Sequence, residues 1–269
     1  MQGYLVTIRR LAFVAFCIAV PPSVRAEEPA TTTPDAVMAA VLEKARAGDL
    51  DGALNDLEPL LKDEDSTMRQ RASDLAASVL HRRGEEHFRQ AHIAEALADF
   101  DRELELRPEG AADHWQRGIA CYYADEYEKG TKQFELHRKV NPQDVENPAW
   151  HFLCLARAPE GSVEAAEKKL LAVTKDPRVP MAQIQEMFAG KKPPEDVLKV
   201  GEAGGDVAAF YADLYVGLYY EAVGRDDESL RLVKRAAENP AAVDNYMGDV
   251  ARVHVTLRER TPPKGQDAP

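Results

Sequence analysis

Residues 84–108 read GEEHFRQAHIAEALADFDRELELRP, and residues 118–142 read GIACYYADEYEKGTKQFELHRKVNP. Within the longer stretch 77–142, four pairs of like residues stand 34 positions apart: Gly84 and Gly118, Ala96 and Gly130, Phe100 and Phe134, Pro108 and Pro142. A fixed period of this length, closed by a proline, is typical of stacked helix-turn-helix repeats. The stretch therefore predicts an all-α solenoid.

The residue types at these four positions have physical reasons. A glycine inside a helix costs about 1 kcal/mol relative to alanine, so the glycine on each first helix needs a packing reason. A minimal side chain there, and at the small position on the second helix, lets two helix axes approach closely. We expect the two phenylalanines to fill the space towards the next unit. Each proline ends its helix because it lacks the amide hydrogen and clashes with the preceding turn.

Weaker copies of the pattern flank these two units. Gly217 and Tyr220 take the glycine and tyrosine positions of a later unit, and the third unit places Ala165, Leu170 and Leu171 on its second helix. A Gly-Lys-Lys-Pro-Pro segment separates two short helices predicted at 181–188 and 194–201. We predict a solenoid over 35–259 with about four repeats, divided into units near 35–62, 77–110, 111–144, 145–178 and 210–241, an insert at 180–205 and a capping helix at 242–259.

The first 26 residues match a secretory signal peptide. Arg9 and Arg10 precede an apolar run at 11–20, and Ala26 provides a small residue before the expected cut. The run is too short for a membrane span of about 20 residues. Cys17 follows Phe16, where a lipidation signal requires a small residue, so no lipid anchor is expected. We predict an exported chain, periplasmic or secreted, with a linker at 27–34 and a disordered tail at 260–269.

The charge balance argues against a nucleic-acid partner. Beyond residue 26 the chain holds 31 Lys and Arg against 46 Asp and Glu, a net charge of −15. A strongly acidic surface repels phosphate backbones and suits basic partners. No second apolar run approaches membrane length, so we expect no transmembrane segment after cleavage of the signal.

Cys121 and Cys154 are the cysteines that remain after cleavage. In the 34-residue repeat they lie on neighbouring first helices but point in different directions. A disulfide needs Cα atoms within about 7 Å, whereas packed helix axes stand about 8–10 Å apart. Two buried free thiols are therefore favoured over a disulfide.

The spacings that usually mark catalysis are missing from the sequence. It contains no H-E-x-x-H, G-x-S-x-G, Walker-type glycine loop or C-x-x-C motif. His151 lies three residues before Cys154 and shares a helix face with it, but two ligands do not make a zinc site. We therefore expect no enzyme activity, no catalytic residues, no cofactor and no metal site. An enzyme with an unrecognised site stays open as an alternative.

The repeat resembles the tetratricopeptide repeat (TPR) family in Ala96-x3-Phe100 and Gly130-x3-Phe134, each followed eight residues later by proline. The resemblance implies a right-handed superhelix whose first helices line a concave peptide-binding groove. The side chains that map to the groove are His81, Glu85, Phe88, Trp115, Ile119, Tyr122, Leu153 and Leu218.

Spacing supports part of this groove independently. Trp115, Ile119 and Tyr122 are spaced i, i+4, i+7 and so share one helix face, which forms an aromatic groove if that face is open. Aromatic residues dominate binding energetics, so Trp115 and Tyr122 are the expected centres of binding, although core packing explains Trp115 equally well. His81 and Glu85 stand where the family's carboxylate clamp has Lys and Asn, so we expect an apolar, aromatic or basic peptide instead.

Segments 114–123, 188–190 and 215–224, with the helix around Trp150, resemble the NlpI group of bacterial envelope TPR lipoproteins. That resemblance implies a dimeric, non-enzymatic adaptor that brings cell-wall hydrolases and a periplasmic protease together. The missing lipidation cysteine departs from the group and weakens the case for membrane anchoring. The expected function is an exported TPR adaptor in the periplasm or cell envelope. The alternative is a structural subunit of an envelope assembly that binds through its convex face or terminal helices.

Overall fold

The computed structural model describes residues 33–260. The predicted signal peptide, most of the linker and residues 261–269 lie outside these residues. Within 33–260 the protein is all-helical, with 13 α-helices, three short 3₁₀ turns and no strand. The predicted all-α class is confirmed. No helix in this range is both long enough and apolar enough to span a lipid bilayer.

Short connections join most of the helices, and the longest connection in the described range is 169–180. The bounds of the helices are α1 Pro34–Ala47, α2 Leu50–Leu57, α3 Ser66–Arg89, α4 Ile93–Leu106, α5 Trp115–Tyr123, α6 Tyr127–His137, α7 Glu146–Arg157, α8 Val163–Lys168, α9 Met181–Phe188, α10 Pro194–Ala203, α11 Asp206–Ala222, α12 Asp226–Glu238 and α13 Tyr246–Arg260. Consecutive helices pack in adjacent pairs, and α13 packs on both α12 and α3. This arrangement is consistent with an all-α helical repeat.

Contacts between the first and second helices explain the glycine and phenylalanine positions. A methyl group placed on Gly84 would lie 2.6 Å from Phe100 Cε1, and one placed on Gly118 would lie 2.7 Å from Phe134 Cζ. Both phenylalanines are fully buried. Each ring thus packs on the glycine of its own unit, whereas the sequence suggested that it fills space towards the next unit. Phe100 does both, because its ring also meets the His114 ring at the start of α5.

The 34-residue offset also relates two polar contacts. Arg83 on α3 donates two hydrogen bonds to Asp99 on α4, at 2.8 and 2.6 Å. The residues 34 positions later make the equivalent contact, because Arg117 on α5 donates to Gln133 on α6 at 3.2 Å. Asp99 and Gln133 are both buried. The period therefore holds for side-chain contacts as well as for residue types.

The other predicted repeat positions also make close contacts or are buried. Gly130 lies against Cys154, with 2.7 Å from an added methyl group to Sγ, and Gly217 lies against Val233, with 2.6 Å to Cγ2. Ala96 is buried, and the Tyr220 hydroxyl donates to Glu195 at 3.0 Å. The two prolines behave differently: α4 ends just before Pro108, whereas α6 ends at His137, several residues before Pro142.

The third unit differs from its prediction. Its second helix, α8, ends at Lys168, so Leu170 and Leu171 lie outside it. The chain that follows finds other partners for its backbone, because Gln143 Oε1 accepts hydrogen bonds from the Thr174 and Lys175 amides at 3.2 and 3.0 Å. A helix through these residues would have to give up both bonds.

The last helix starts later than predicted. Residues 240–242 form a 3₁₀ turn, and α13 begins at Tyr246 rather than at residue 242. Asn245 sets this start, because its Oδ1 accepts a hydrogen bond from the Met247 amide at 2.9 Å. The two helices of the insert match the sequence prediction closely, and α10 extends two residues further, to Ala203.

Candidate functional site

Helix α13 lies across the face of α3 and α5 that carries the predicted groove residues Phe88 and Trp115. The Tyr246 ring stacks on Phe88 with 5.6 Å between centroids and meets Trp115 edge-on at 4.8 Å. Further along α13, His254 Nδ1 is 3.2 Å from the Tyr123 hydroxyl. Arg89 on α3 pairs with Asp249 on α13 at 3.3 Å. The C-terminal helix therefore occupies the position expected for a bound peptide.

The eight predicted groove residues divide into two sets. Five are buried, so a second protein could not contact them in this conformation: Phe88, Ile119, Tyr122, Leu153 and Leu218. Three are half-buried: His81, Glu85 and Trp115. The sequence left open whether this face is exposed, and in the structure α13 and the core cover most of it.

A buried glutamate fastens α13 to the core. Glu221 on α11 accepts hydrogen bonds from Tyr122 on α5 and from Arg258 on α13, and pairs with Arg157 on α7 at 2.7 Å. One carboxylate therefore joins four helices. Tyr122, an expected centre of binding, serves this internal contact instead.

Trp115 keeps access to solvent and lines a cavity of about 290 Å³, which we call the Trp115 pocket. Its aromatic walls are Trp115, Phe134, Trp150, Tyr211 and Tyr246. Trp115 and Trp150 are also the two tryptophans of the whole sequence. A pocket of this size is at the small end for ligand sites and suits one side chain of a peptide.

Three polar atoms on residues that line the Trp115 pocket have no protein partner within the described part of the chain; one is the Tyr246 hydroxyl, on α13. The other two lie on α7. They are Asn147 Oδ1 and Trp150 Nε1, both on buried residues. A buried polar group without a hydrogen bond costs about 1–3 kcal/mol, so a partner there is favoured. The lining of the pocket therefore contains buried hydrogen-bonding capacity that the described chain does not use.

Carboxylates give the pocket a negative edge. Asp144 and Glu146 line it, and Arg178 donates to each of them at 2.6 Å. The same arginine also donates to Asp176 at 2.7 Å, so three carboxylates share one guanidinium. Burial and the nearby Asp144 charge raise the pKa of Glu146. The raised pKa makes Glu146 less acidic, but three carboxylates around one guanidinium still favour a cationic group over an anionic one at this edge.

A second opening lies on the other side of Trp115. This cleft, of about 440 Å³, is lined by residues of α3 and the start of α5, and by Glu103 and Arg107 at the end of α4. Within it, Glu103 Oε2 accepts hydrogen bonds from His81 Nδ1 at 2.9 Å and from His114 Nε2 at 2.8 Å. We call these three residues the His-Glu cluster.

The charges of the His-Glu cluster are strongly coupled. Hydrogen bonds to Glu103 and Glu85 raise the pKa of His81 to about 9. Burial alone would raise the pKa of Glu103, but the bonds from His114 and His81 outweigh it and hold the pKa at about 2. His81 is thus a cation and Glu103 an anion at neutral pH.

Sequence reasoning missed this cluster. It named His81 as a groove residue but not Glu103 or His114, because the three lie on separate elements, 22 and 11 residues apart. The available signal was the helical repeat itself, which places consecutive helices side by side.

The cysteines and His151 have structural surroundings. Cys121 and Cys154 are both buried free thiols, as favoured from the sequence. Burial raises the pKa of Cys121 to about 11. His151 is buried and 3.5 Å from Glu135, and burial lowers its pKa. His151 and Cys154 are not part of any metal-type cluster found within residues 33–260.

Comparison with known proteins gives no assignment: no family model matches the chain, and no curated protein matches it significantly.

Proposed function

We propose that the chain is an exported, non-enzymatic adaptor of the TPR type that binds protein partners in the periplasm or cell envelope. Three observations support this proposal: the export-type sequence of residues 1–26, the helix pairs with their 34-residue period, and the Trp115 pocket. The NlpI resemblance implies cell-wall hydrolases or a protease as the partners.

The Trp115 pocket carries the proposal. It combines five aromatic side chains, two carboxylates and three unpartnered polar atoms around a space for about one side chain. Aromatic anchors with a few oriented polar groups are typical of binding sites. In a purely structural core, side chains would fill this space and the buried polar atoms would have hydrogen-bond partners.

The chemistry of the pocket selects a basic segment. A lysine or arginine entering it meets the faces or edges of aromatic rings, the Asn147 carbonyl and the carboxylate edge. A backbone carbonyl beside that residue can accept from Trp150 Nε1–H or from the Tyr246 hydroxyl, both unpartnered donors. The acidic balance of the chain attracts such a segment at longer range.

The test is selection of a displayed random-peptide library on the purified protein, followed by titration of the selected peptides. Because both tryptophans line the pocket, binding there changes the intrinsic fluorescence. We expect selected peptides to carry a Lys or Arg whose replacement by Glu weakens binding at least tenfold. Trp115→Ala should weaken binding to a similar extent, with Trp150 and a labelled peptide as readouts.

Tyr219→Ala is the matched control. Tyr219 is a half-buried aromatic residue on α11 that packs on Phe152 and Phe188, away from the pocket. Its removal should leave peptide affinity unchanged. Selected peptides without a basic residue, or equal affinity for wild type and Trp115→Ala, would show that the pocket is not the binding site.

A further inference from the structure

The His-Glu cluster brings three metal-binding atoms together. They are His81 Nδ1, Glu103 Oε2 and His114 Nε2, and all lie within 4.8 Å of one another. Ligand atoms around a four-coordinate zinc ion stand about 3.3 Å apart, given bond lengths near 2.0–2.1 Å. Small rotations of the two imidazoles would bring the three atoms to that spacing.

The ligand types fit a borderline metal ion. Two imidazoles and one carboxylate are a common catalytic-type zinc set, and the same donors also bind other divalent transition metals. Alkaline-earth ions prefer all-oxygen sites, so calcium and magnesium are disfavoured.

Each ligand side chain is held by a further contact. Glu85 lies 3.5 Å from His81 Nε2, the nitrogen that faces away from the cluster. Arg107 donates to Glu103 Oε1 at 3.3 Å, which leaves Oε2 for the centre of the cluster. The Phe100 ring on α4 packs on both imidazoles, with ring centroids 5.9 Å from that of His81 and 4.8 Å from that of His114. Outer contacts of this kind orient ligands at metal sites.

The cluster is also accessible. His81 is half-buried, whereas Glu103 and His114 are buried, and all three line the cleft of about 440 Å³. An ion therefore has a path to the site, and its remaining coordination position faces the cleft.

We propose that His81, Glu103 and His114 bind one divalent transition-metal ion of the zinc class, with an open coordination position towards the cleft. Binding replaces the two protons that now point at Glu103. His81 gives up its Nδ1 proton and keeps the one on Nε2, beside Glu85. His114 gives up its Nε2 proton and takes one on Nδ1, so it loses the 3.3 Å hydrogen bond from the Arg117 amide.

The experiment is calorimetric titration of the chelator-treated, full-length folded protein with Zn²⁺, and optical titration with Co²⁺. We expect one ion per chain and the intense visible absorption of four-coordinate Co²⁺. His81→Gln removes a ligand from a half-buried position, so the fold should persist, as circular dichroism can verify. The His81→Gln substitution should weaken zinc binding by more than the ~10–100-fold loss that follows removal of a residue that only contacts a ligand side chain.

The chain offers a matched control in His87 and His92, whose rings are 6.2 Å apart on the same repeat but outside the cluster. The double variant His87→Gln, His92→Gln should bind zinc as tightly as wild type. Glu103→Gln should bind as poorly as His81→Gln; if it fails to fold, His81→Gln decides. The proposal is overturned if wild type binds no zinc, if His81→Gln retains wild-type affinity, or if the control loses binding.

Discussion

Acidification should destabilise the protein through His254, a buried histidine on α13. The side chain is fully buried, Nδ1 lies 3.2 Å from the Tyr123 hydroxyl, and Nε2 has no protein partner in the described chain. The charged groups that face it are Glu221, Arg258 and Arg157. Burial is the main cause that lowers its pKa from 6.5 to about 4, so the folded protein keeps His254 neutral.

The size of the effect follows from proton linkage. Between pH 6.5 and about 4 the unfolded chain protonates this histidine and the folded protein does not. The unfolded state therefore binds more protons, and stability falls as the pH falls. Each pH unit is worth about 1.4 kcal/mol, so the whole window removes about 3 kcal/mol from the free energy of unfolding.

Urea unfolding of wild type and His254→Gln between pH 7 and pH 4 measures this effect. Glutamine keeps a polar group beside Tyr123 but cannot be protonated, and the carboxylates that titrate in this range cancel in the difference. We expect the wild-type free energy of unfolding to fall by about 3 kcal/mol more than that of His254→Gln. His92→Gln, at an exposed position, should follow wild type. Parallel pH profiles for wild type and His254→Gln would refute the reasoning.

Three further predictions test the packing. Gly118→Ala should lower the free energy of unfolding by about 1–3 kcal/mol, because the new methyl group meets Phe134 at 2.7 Å. Adding Phe134→Leu should recover part of the loss in a double-mutant cycle, and strict additivity would contradict the contact. Glu221→Gln should lower the free energy of unfolding in urea by about 2–3 kcal/mol and hasten proteolysis of α13. This loss is smaller than for a fully buried ion pair because its partners Arg157 and Arg258 are partly exposed. Cys121 and Cys154 should resist a thiol-reactive dye in the native protein and react in denaturant, since both are fully buried; native labelling would argue against the packing.

Local features of the fold were predictable because they depend on neighbours along the chain. The 34-residue spacing predicted paired helices with close approach at the glycines, and the structure places Gly118 in such a contact, although the partner is Phe134 of the same unit and not the next unit. The insert helices were also predictable, because Pro193 and Gly190 mark their ends. The short α8 was not, and the segment that follows it is held by a side chain about 30 residues away, because Gln143 accepts hydrogen bonds from the Thr174 and Lys175 amides.

The candidate site was only partly predictable. Trp115 was named from its position on the face of α5, and it does line a pocket. The covering of the remaining groove depends on where α13 docks, and the repeat pattern carries no information about that. Tyr246 and Arg258 are ordinary residues of an amphipathic helix until their contacts with Phe88 and Glu221 are seen.

Site-specific photo-cross-linking in the producing organism tests most directly whether partners bind at the Trp115 pocket. A photoreactive residue at position 141 would lie in the pocket wall, whereas one at the neighbouring, exposed position 140 would lie outside it. We expect partner adducts from position 141 that are absent from position 140, that disappear with Trp115→Ala, and that map to a basic segment of the partner. Identical adducts from both positions, or adducts at position 141 that persist in Trp115→Ala, would contradict the assignment of the pocket.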